Sequence, residues 1–266
     1  MIRFPDSANT GDGFRKYFEV VPALSDELRD AAFRLRHSVY CEDLGWEPMR
    51  SDARETDDYD VHSLHCLARS VVSGSFVGCV RLVLARPGDL MHPLPFEETC
   101  PEALDRSIID PATLPRERLA EVSRLAIVGE YRRRRGEERT PGKLEDSSFG
   151  TPEQPRFPYL LVGLYMAVFA LAERHGLEKL FLLVEPRLAR HLNHVGIRNE
   201  QIGRGAEHRG LRVPAMMDVA YVIGHLNPRL RSIFEIVREE LELAHQAAGA
   251  PLTPSTAEPG VRRETP

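Results

Sequence analysis

Three charged side chains lie inside segments whose other residues have the apolar pattern of buried β-strands. Arg81 stands within the run from Phe76 to Leu84, and Glu121 and Arg124 stand within the run from Leu119 to Val128. Charged residues are seldom fully buried unless they are paired, because an uncompensated buried charge either costs several kcal/mol or changes its protonation state. These residues therefore predict a paired ionic cluster that lines a cleft in the fold.

Candidate partners for these charges precede the strands in the chain. Arg36 and Tyr40 are one turn apart on a predicted helix, and the loop-like, acidic segment 44–61 follows them. We expect Asp57 and Asp60 of this segment to form bidentate contacts with arginines, which fix the acidic loop against the sheet. Two alternatives stay open: the charges only lock the loop in place, and Trp46 is either a pocket wall or an ordinary core aromatic.

Composition limits the compartment and the partners of the chain. It has 266 residues, 42% of them hydrophobic, with a formal net charge of −5, which argues against nucleic acid as the main partner. The four cysteines have no metal-binding spacing, and His191 and His194 lack a third ligand at matching spacing, so no metal is expected. No signal peptide is recognisable, and the apolar run 159–172 is shorter than the roughly 20 residues of a spanning helix. We expect a cytoplasmic protein without a transmembrane segment.

The pattern of elements predicts an α/β (α+β) fold with a mixed central sheet in one domain over residues 1–247. Flexible insertions are expected near 86–116 and 129–158, and a disordered tail at 248–266. Periodicity and turn signals predict helices at 25–42, 159–175, 186–193 and 228–245, and strands at 64–72, 76–84, 118–128, 179–184 and 218–223.

Taken in order, these residues resemble the acyl-homoserine-lactone synthases and the N-acyl amino acid synthases, and most closely the acyltransferase family associated with PEP-CTERM/exosortase systems. The resemblance covers residues 20 to 225 and implies an acyl-CoA N-acyltransferase (GNAT-like) fold. Tyr40 stands where the lactone synthases usually have Phe, and the two insertions are longer than a compact lactone synthase carries. The matching pattern is Arg36-x3-Tyr40-x5-Trp46, Glu55-x-Asp57-x-Tyr59-Asp60, Gly78-x-x-Arg81-Leu and Glu121-x-Ser-Arg124-Leu.

The resemblance implies attack of a small-molecule amine on the thioester of an acyl carrier protein or acyl-CoA, with no tightly bound cofactor. The reaction requires a base for the ammonium proton, a site for the oxyanion and an apolar slot for the acyl chain. Glu121 is the first candidate for the base and Asp57 the second, with Arg81 and Arg124 beside them. Glu121 and Arg124 are three apart, so they share a face only if the strand has a bulge, and the resemblance implies such a bulge.

Two further groups of residues are candidates for binding the donor. Val162, Met166 and Phe169 repeat along the predicted apolar helix and are candidates for the acyl-chain slot, although such a helix is more often core. The run Arg132, Arg133, Arg134 and Arg135 is a candidate for gripping phosphates or an acidic carrier protein, or else is a solvated loop. Only one glycine, Gly129, precedes this run, so the usual pyrophosphate loop is absent, which favours acyl carrier protein as the donor.

Three functions remain open at this point. The first is an N-acyltransferase that makes a long-chain N-acyl amino acid or a related amide. The second is a lactone synthase that uses S-adenosylmethionine and releases methylthioadenosine. The third is an inactive acyltransferase fold that serves as an acyl-carrier-binding module.

Overall fold

A single sheet of eight strands organises the fold. The computed structural model describes residues 7–132, 150–151, 154–155 and 159–249. In chain order the strands are β1 (Phe18–Pro22), β2 (Ser63–Ser70), β3 (Phe76–Leu84), β4 (Leu119–Ile127), β5 (Gly150–Thr151), β6 (Gln154–Pro155), β7 (Lys179–Val184), β8 (Glu200–Gln201), β9 (Ala206–Glu207) and β10 (Leu211–Asp218).

Helices flank this sheet. The α-helices are α1 (Ser7–Tyr17), α2 (Asp26–His37), α3 (Pro95–Thr99), α4 (Gly129–Arg132), α5 (Tyr159–Arg174), α6 (Pro186–Val195), α7 (Val219–Gly224) and α8 (Pro228–Ala247). A π-helix (Ser38–Asp43) continues α2, and 3₁₀-helices cover Asp58–His62, Pro111–Thr113 and Arg116–Arg118. None of the helices described is both long enough and apolar enough to cross a membrane.

The strand order places β4 and β7 at the centre of the sheet. The order is β1-β2-β3-β4-β7-β10-β8, with β9 paired to β10 and with β5 and β6 forming a separate hairpin. β4 and β7 run parallel, while the other paired strands of this sheet are antiparallel. A parallel pair needs a crossover, which α5 supplies between the two strands.

The two faces of the sheet are covered differently, because successive side chains of a strand point to opposite faces. The main core lies on one face, where α5 is buried from Leu160 to Ala172 and packs with α8 against β1, β2 and β3. On the other face α2 covers one part of the sheet around Leu67 and Cys79. The segment 86–116 covers another part around Val83 and Phe181.

Most predicted elements are present, and one was wrong. The predicted strand at 218–223 is helix α7, which Asp218 caps by accepting a hydrogen bond from the Tyr221 amide. The strand in this part of the chain is β10, which ends at Asp218. The sequence analysis placed no element at α1 or β1, which pack against α5 and α8. The α2 helix, β3, β7 and α5 lie where the periodicity placed them.

The segment 86–116 has little regular structure, as predicted, but it is anchored at several points. Leu104 forms an isolated β-bridge with Gly203, and the Asp105 amide donates to the Ile202 carbonyl at 2.9 Å. A Cβ atom on Gly203 would lie 1.9 Å from the Ala103 carbonyl oxygen. Only glycine therefore permits this close approach of two backbones.

Replacing Gly203 with alanine is expected to lower the free energy of unfolding by about 1–3 kcal/mol, because the backbones must move apart. Gly224→Ala is the matched control, since a Cβ there meets nothing within 4 Å. Denaturant unfolding of both variants checks the prediction. Equal stability of the two variants would contradict the close approach.

Candidate active site

A bulge interrupts the central strand β4. The register between β3 and β4 shifts between Cys79 and Arg81, so that one extra residue of β4 is accommodated there. Arg124 has φ +51°, a left-handed conformation that costs energy for a residue with a side chain. The Leu125 carbonyl accepts a hydrogen bond from the Tyr40 hydroxyl at 2.9 Å. The bulge on which the shared face of Glu121 and Arg124 depends is therefore present.

An open slot follows from the end of the β4–β7 ladder. The two strands pair through only three residue pairs, and the last is Glu121 with Phe181. Beyond that pair, no strand among the described residues covers this edge of β4. Residues 122–125 are partly exposed although they belong to a central strand, and Leu183 on β7 is partly exposed too. The gap begins one residue after Glu121.

The acidic segment reaches this slot through a 3₁₀-helix with a capping box. The Asp57 side chain accepts from the Tyr59 amide at 3.0 Å, and the Asp60 side chain accepts from the Asp57 amide at 2.8 Å. These two reciprocal hydrogen bonds fix both carboxylates relative to one backbone turn. Their remaining acceptor positions face the arginines of the sheet.

Arg36 and Arg81 converge on Asp60. Arg36 donates to Asp60 through Nη1 at 2.6 Å and Nη2 at 3.1 Å, and through Nε to Glu55 at 2.5 Å. Arg81 Nη1 lies 2.6 Å from both Asp57 Oδ1 and Asp60 Oδ1, and Arg81 Nε donates to Ser123 at 3.0 Å. Both arginine side chains are only 1% exposed. The predicted ion-pair lattice is therefore present as a buried network.

Arg124 completes the network from the bulge. Its Nη2 lies 3.0 Å from Asp57 Oδ2 and 3.1 Å from Glu55 Oε1. Arg36, Arg81 and Arg124 thus face the three carboxylates of Glu55, Asp57 and Asp60, and the formal charges balance. The side chains of Asp57 and Arg124 are 26% and 23% exposed, which places them at the open edge of the network.

The network lowers the pKa of both aspartates. Burial alone would raise the pKa of Asp60, but the hydrogen bonds and charge of Arg36, together with the charge of Arg81, outweigh it and bring the pKa well below the usual range. Burial would also raise the pKa of Asp57, but the hydrogen bond and the charge of Arg81 outweigh it, so the pKa of Asp57 is lowered. Asp57 and Asp60 are therefore ionised at neutral pH. Burial lowers the pKa of the neighbouring His65 to about 4, so its ring adds no charge.

Glu121 has the opposite environment. It is 4% exposed, and its Oε2 accepts a hydrogen bond from the Phe96 amide at 2.6 Å. Burial raises the pKa of Glu121 to about 8, and the Phe96 amide and the charges of Arg81 and Arg124 offset burial only in part. A carboxyl group with this pKa exchanges a proton near neutral pH.

Aromatic and charged side chains border the slot on the side of the acidic segment. Tyr40 and Trp46 stack with ring centroids 6.2 Å apart, and Arg212 of β10 lies over the Trp46 ring at 5.8 Å. Glu47 lies 2.6 Å from Arg209, which stands in the turn between β9 and β10. This turn therefore joins the β10 side of the sheet to the Trp46 loop.

The structure brings the predicted catalytic and amine-pocket residues together, but it does not do so for the predicted donor residues. Val162, Met166 and Phe169 are buried in the main core, so an acyl chain beside them would have to displace packed side chains. Arg132 ends α4, and Arg133, Arg134 and Arg135 lie outside the described residues. Both donor assignments stay predictions.

Several residues of the site were missed by sequence reasoning. Glu55 belongs to the recognised pattern, and its burial could have been inferred from its pairing with arginines. Phe96 contributes through its backbone amide, which no sequence pattern reveals. Arg209 and Arg212 come from a turn far along the chain, and only the fold brings them to Trp46. Within the described residues, no group of three or more His, Cys, Asp or Glu side chains has the arrangement of a metal site.

Comparisons with known proteins agree with this geometry. Residues 35–140 match the family described as acetyltransferase (GNAT) domain. This part of the chain is therefore similar to a GNAT acetyltransferase domain. The chain is also 25% identical, over 215 residues, to an acyl-homoserine-lactone synthase of Pseudomonas fluorescens, a match that covers 80% of this chain and 90% of the relative.

Solved structures share the fold of this chain. The CoA-dependent acyl-homoserine lactone synthase BjaI, solved with SAM and isopentyl-CoA, has a TM-score of 0.53 and 20% identity, covering 90% of this chain and 92% of BjaI. FeeM, an N-acyl amino acid synthase from uncultured soil microbes, has a TM-score of 0.51 and 14% identity, covering 80% of this chain and 96% of FeeM. The predicted fold is confirmed, and the chain is homologous to the acyl-homoserine-lactone synthases. The link to exosortase systems stays a prediction.

Replacing Asp60 with asparagine is expected to lower the free energy of unfolding at pH 7 by about 3–5 kcal/mol, because it leaves buried cations without their partner. The matched control is Asp26→Asn, whose side chain is 91% exposed and whose loss is expected to change stability by about 0.5 kcal/mol or less. Denaturant unfolding at pH 7 measures both.

The same comparison has a defined pH dependence. Since folding lowers the pKa of Asp60, its stabilisation is full above the unfolded pKa of about 3.9 and is lost as the pH falls toward the folded value. The stability difference between wild type and Asp60→Asn should therefore shrink below about pH 4. A difference that stays constant down to pH 3 would contradict the assignment.

Proposed function

We propose that the protein is an N-acyltransferase that moves a long-chain acyl group from a carrier thioester to the amine of an amino acid or a related small molecule. The observation that carries the proposal is the position of Glu121, a carboxyl group of raised pKa at the point where β4 and β7 separate. In the proposed reaction the amine meets the thioester at this point, because the proton acceptor Glu121 lies beside the unpaired edge of β4.

Glu121 is the base in this proposal, and Asp57 is not. Asp57 is held by Arg81 and Arg124, and its lowered pKa makes it a weak proton acceptor. Glu121 has a pKa close to the working pH, where general bases are most effective. Its Oε2 is occupied by the Phe96 amide, which leaves Oε1 for the proton of the incoming amine.

The remaining residues position the substrates. Asp57, at the open edge of the network, attracts the ammonium group of the acceptor before the proton is removed, and Tyr40 and Trp46 form an apolar wall beside it. The tetrahedral oxyanion is stabilised by backbone amides of β4 beyond Glu121 that lie on the edge facing away from β3, where the pairing with β7 has ended. Val122 and Leu183 are partly exposed on the two sides of the slot and contact the acyl thioester.

The donor is acyl carrier protein in this proposal, with acyl-CoA as the alternative. Beyond β4 the chain passes directly through Val128 and Gly129 into α4, so a loop of several glycines for a diphosphate is missing. A groove of about 640 Å³ at this end of β4 is lined by residues that include Val39, Phe76 and Tyr131. It can take a phosphopantetheine arm that arrives from a carrier protein.

A second candidate function is acyl-homoserine-lactone synthesis with S-adenosylmethionine as the amine substrate. The similarity to the Pseudomonas fluorescens synthase over most of both chains favours it. Both functions use the same base and the same slot. They differ in the acceptor and in a second step, in which the carboxylate of the acylated S-adenosylmethionine displaces methylthioadenosine and closes the lactone ring. Release of methylthioadenosine distinguishes them.

Cells that overproduce the protein are expected to accumulate an N-acyl species that is absent from cells producing Glu121→Gln, whose neutral amide cannot accept a proton. The loss of rate in the purified variant should be about 10²–10⁴-fold. Mass spectrometry of lipid extracts identifies the acceptor and the chain length together. A lactone accompanied by methylthioadenosine would select the second candidate.

Glu117→Gln is the matched control for this substitution. Glu117 is exposed and lies just before β4, so its amide variant should retain full activity. Full activity of Glu121→Gln would remove Glu121 as the base. A folded protein that forms no new acyl species with either donor would contradict the acyltransferase proposal.

The rate of acyl transfer is expected to increase with pH through about 8, because Glu121 must be deprotonated to accept the proton and burial raises its pKa. The measurement is the pH profile of kcat with the acyl donor saturating. The midpoint of the rise in kcat with pH should stay the same when the acceptor is exchanged for one with a different amine pKa. A midpoint that changes with the amine pKa of the acceptor would assign the titration to the substrate instead.

A further inference from the structure

The segment 86–116 lies directly against the carboxyl group of Glu121. Phe96, in the first turn of α3, donates its backbone amide to Glu121 Oε2 at 2.6 Å. Its ring stacks on Phe181 with centroids 5.0 Å apart and an interplanar angle of 13°. Phe181 is the residue that pairs with Glu121 across the β4–β7 ladder. Phe96 therefore covers the position where the ladder ends.

One buried arginine holds this segment in place. The Arg116 side chain is 4% exposed and donates to the carbonyl oxygens of Leu90 at 3.1 Å and His92 at 2.9 Å. It also lies 2.8 Å from Glu97 Oε2, which in turn accepts the Leu94 amide at 2.9 Å. Every one of these partners lies within seven residues of Phe96 in the sequence.

The position of Arg116 in the chain explains how it holds the segment against the strand that carries Glu121. It stands in the 3₁₀-helix that leads into β4, five residues before Glu121. Its hydrogen bonds therefore tie the start of the segment back to the strand that carries the carboxyl group. The buried apolar cluster of Leu94, Phe96, Leu104 and Phe181 closes over the same place.

We propose that Arg116 is a positioning residue for acyl transfer: through Glu97 and the carbonyls of Leu90 and His92 it fixes Phe96 over Glu121 and keeps water away from the carboxyl group. Arg116 itself does not touch the substrates. The proposal rests on the role of Glu121 in the proposed function, but the contacts that carry it belong to this segment alone.

The groups around Glu121 determine what a change in its pKa would mean. The groups that face it are Arg81 on β3, Arg124 on β4 and Glu97 on α3, with the Phe96 amide. Tyr59 and Cys100 are further neighbours that can ionise. Loss of a cation or of the Phe96 hydrogen bond could only raise the pKa of Glu121, so a fall in the pKa reports the entry of water.

The test is a direct titration of Glu121 in the full chain. Protein labelled with ¹³C at glutamate side-chain carboxyls is titrated by NMR, and the Glu121 signal is assigned by its absence in Glu121→Gln. Wild type should titrate near pH 8. Arg116→Gln is expected to shift the midpoint down by at least one pH unit toward the ordinary value of about 4.3.

Two further variants keep the test decisive. Arg106→Gln is the control, because Arg106 pairs with Asp110 on the exposed part of the same segment and should leave the midpoint unchanged. Arg116→Lys keeps the positive charge, but a single ammonium group cannot bond two carbonyls and a carboxylate as the guanidinium group does, so a smaller downward shift of the midpoint is expected. Circular dichroism shows whether each variant is folded, and Arg116→Lys replaces Arg116→Gln in the test if the latter does not fold.

An unchanged Glu121 midpoint in a folded Arg116 variant would overturn the proposal. So would a shift of equal size in Arg106→Gln, since that would show a general loosening of the segment. Because the titration needs no substrate, its result is independent of whether the acyltransferase proposal succeeds. With an active enzyme, the acid limb of kcat should move together with the NMR midpoint, while KM for the donor stays unchanged.

Discussion

The pairing of Asp60 with Arg36 and Arg81 is the interaction on which the rest of the site depends. It joins α2, the acidic 3₁₀-helix and the sheet through side chains that are almost fully buried. Buried ion pairs contribute little net stability, but losing one partner is costly, so such a network tolerates only one arrangement. That arrangement delivers Glu55 and Asp57 to Arg124, the residue whose left-handed conformation makes the bulge of β4. The bulge and the network therefore stabilise each other.

Two carboxyl groups near one slot acquire different chemistry from their surroundings. Asp57 is held ionised by guanidinium groups at the open edge, and Glu121 is kept protonated near neutral pH by apolar neighbours. Pairs of groups whose environments move their pKa values apart are typical of acid–base sites. The two carboxyl groups differ because their neighbours differ. Arg81 and Arg124 contact Asp57, whereas Phe96 and Phe181 close over Glu121.

Sequence reasoning could reach the parts of this site that depend on local patterns. Arg81, Glu121 and Arg124 were identifiable because charges in apolar strands are rare. The bulge between Glu121 and Arg124 was implied by the family resemblance, since their spacing alone could not show it. The contribution of Phe96 could not be predicted from the sequence, because any residue with a backbone amide at that position could donate the same hydrogen bond. The strand β10 was misplaced since its sequence, Leu211 to Asp218, contains Pro214 and Arg212 and lacks a clear alternation. Its formation depends on pairing with β7 rather than on propensity.

The slot between β4 and β7 is bordered by segments that lie far apart in the sequence. Opening a sheet between β4 and β7 removes a ladder at its centre, which would leave the exposed strand edges free to move. The turn that carries Arg209 spans from β10 to Glu47, which also lies 3.7 Å from Arg124 of β4, and Arg212 of β10 pairs with Glu185 at the end of β7. Charged contacts thus link the two sides of the slot where the backbone hydrogen bonds of the ladder are missing. In the proposed reaction, backbone amides held in place by these links would stabilise the carbonyl oxygen of the thioester without reorganisation.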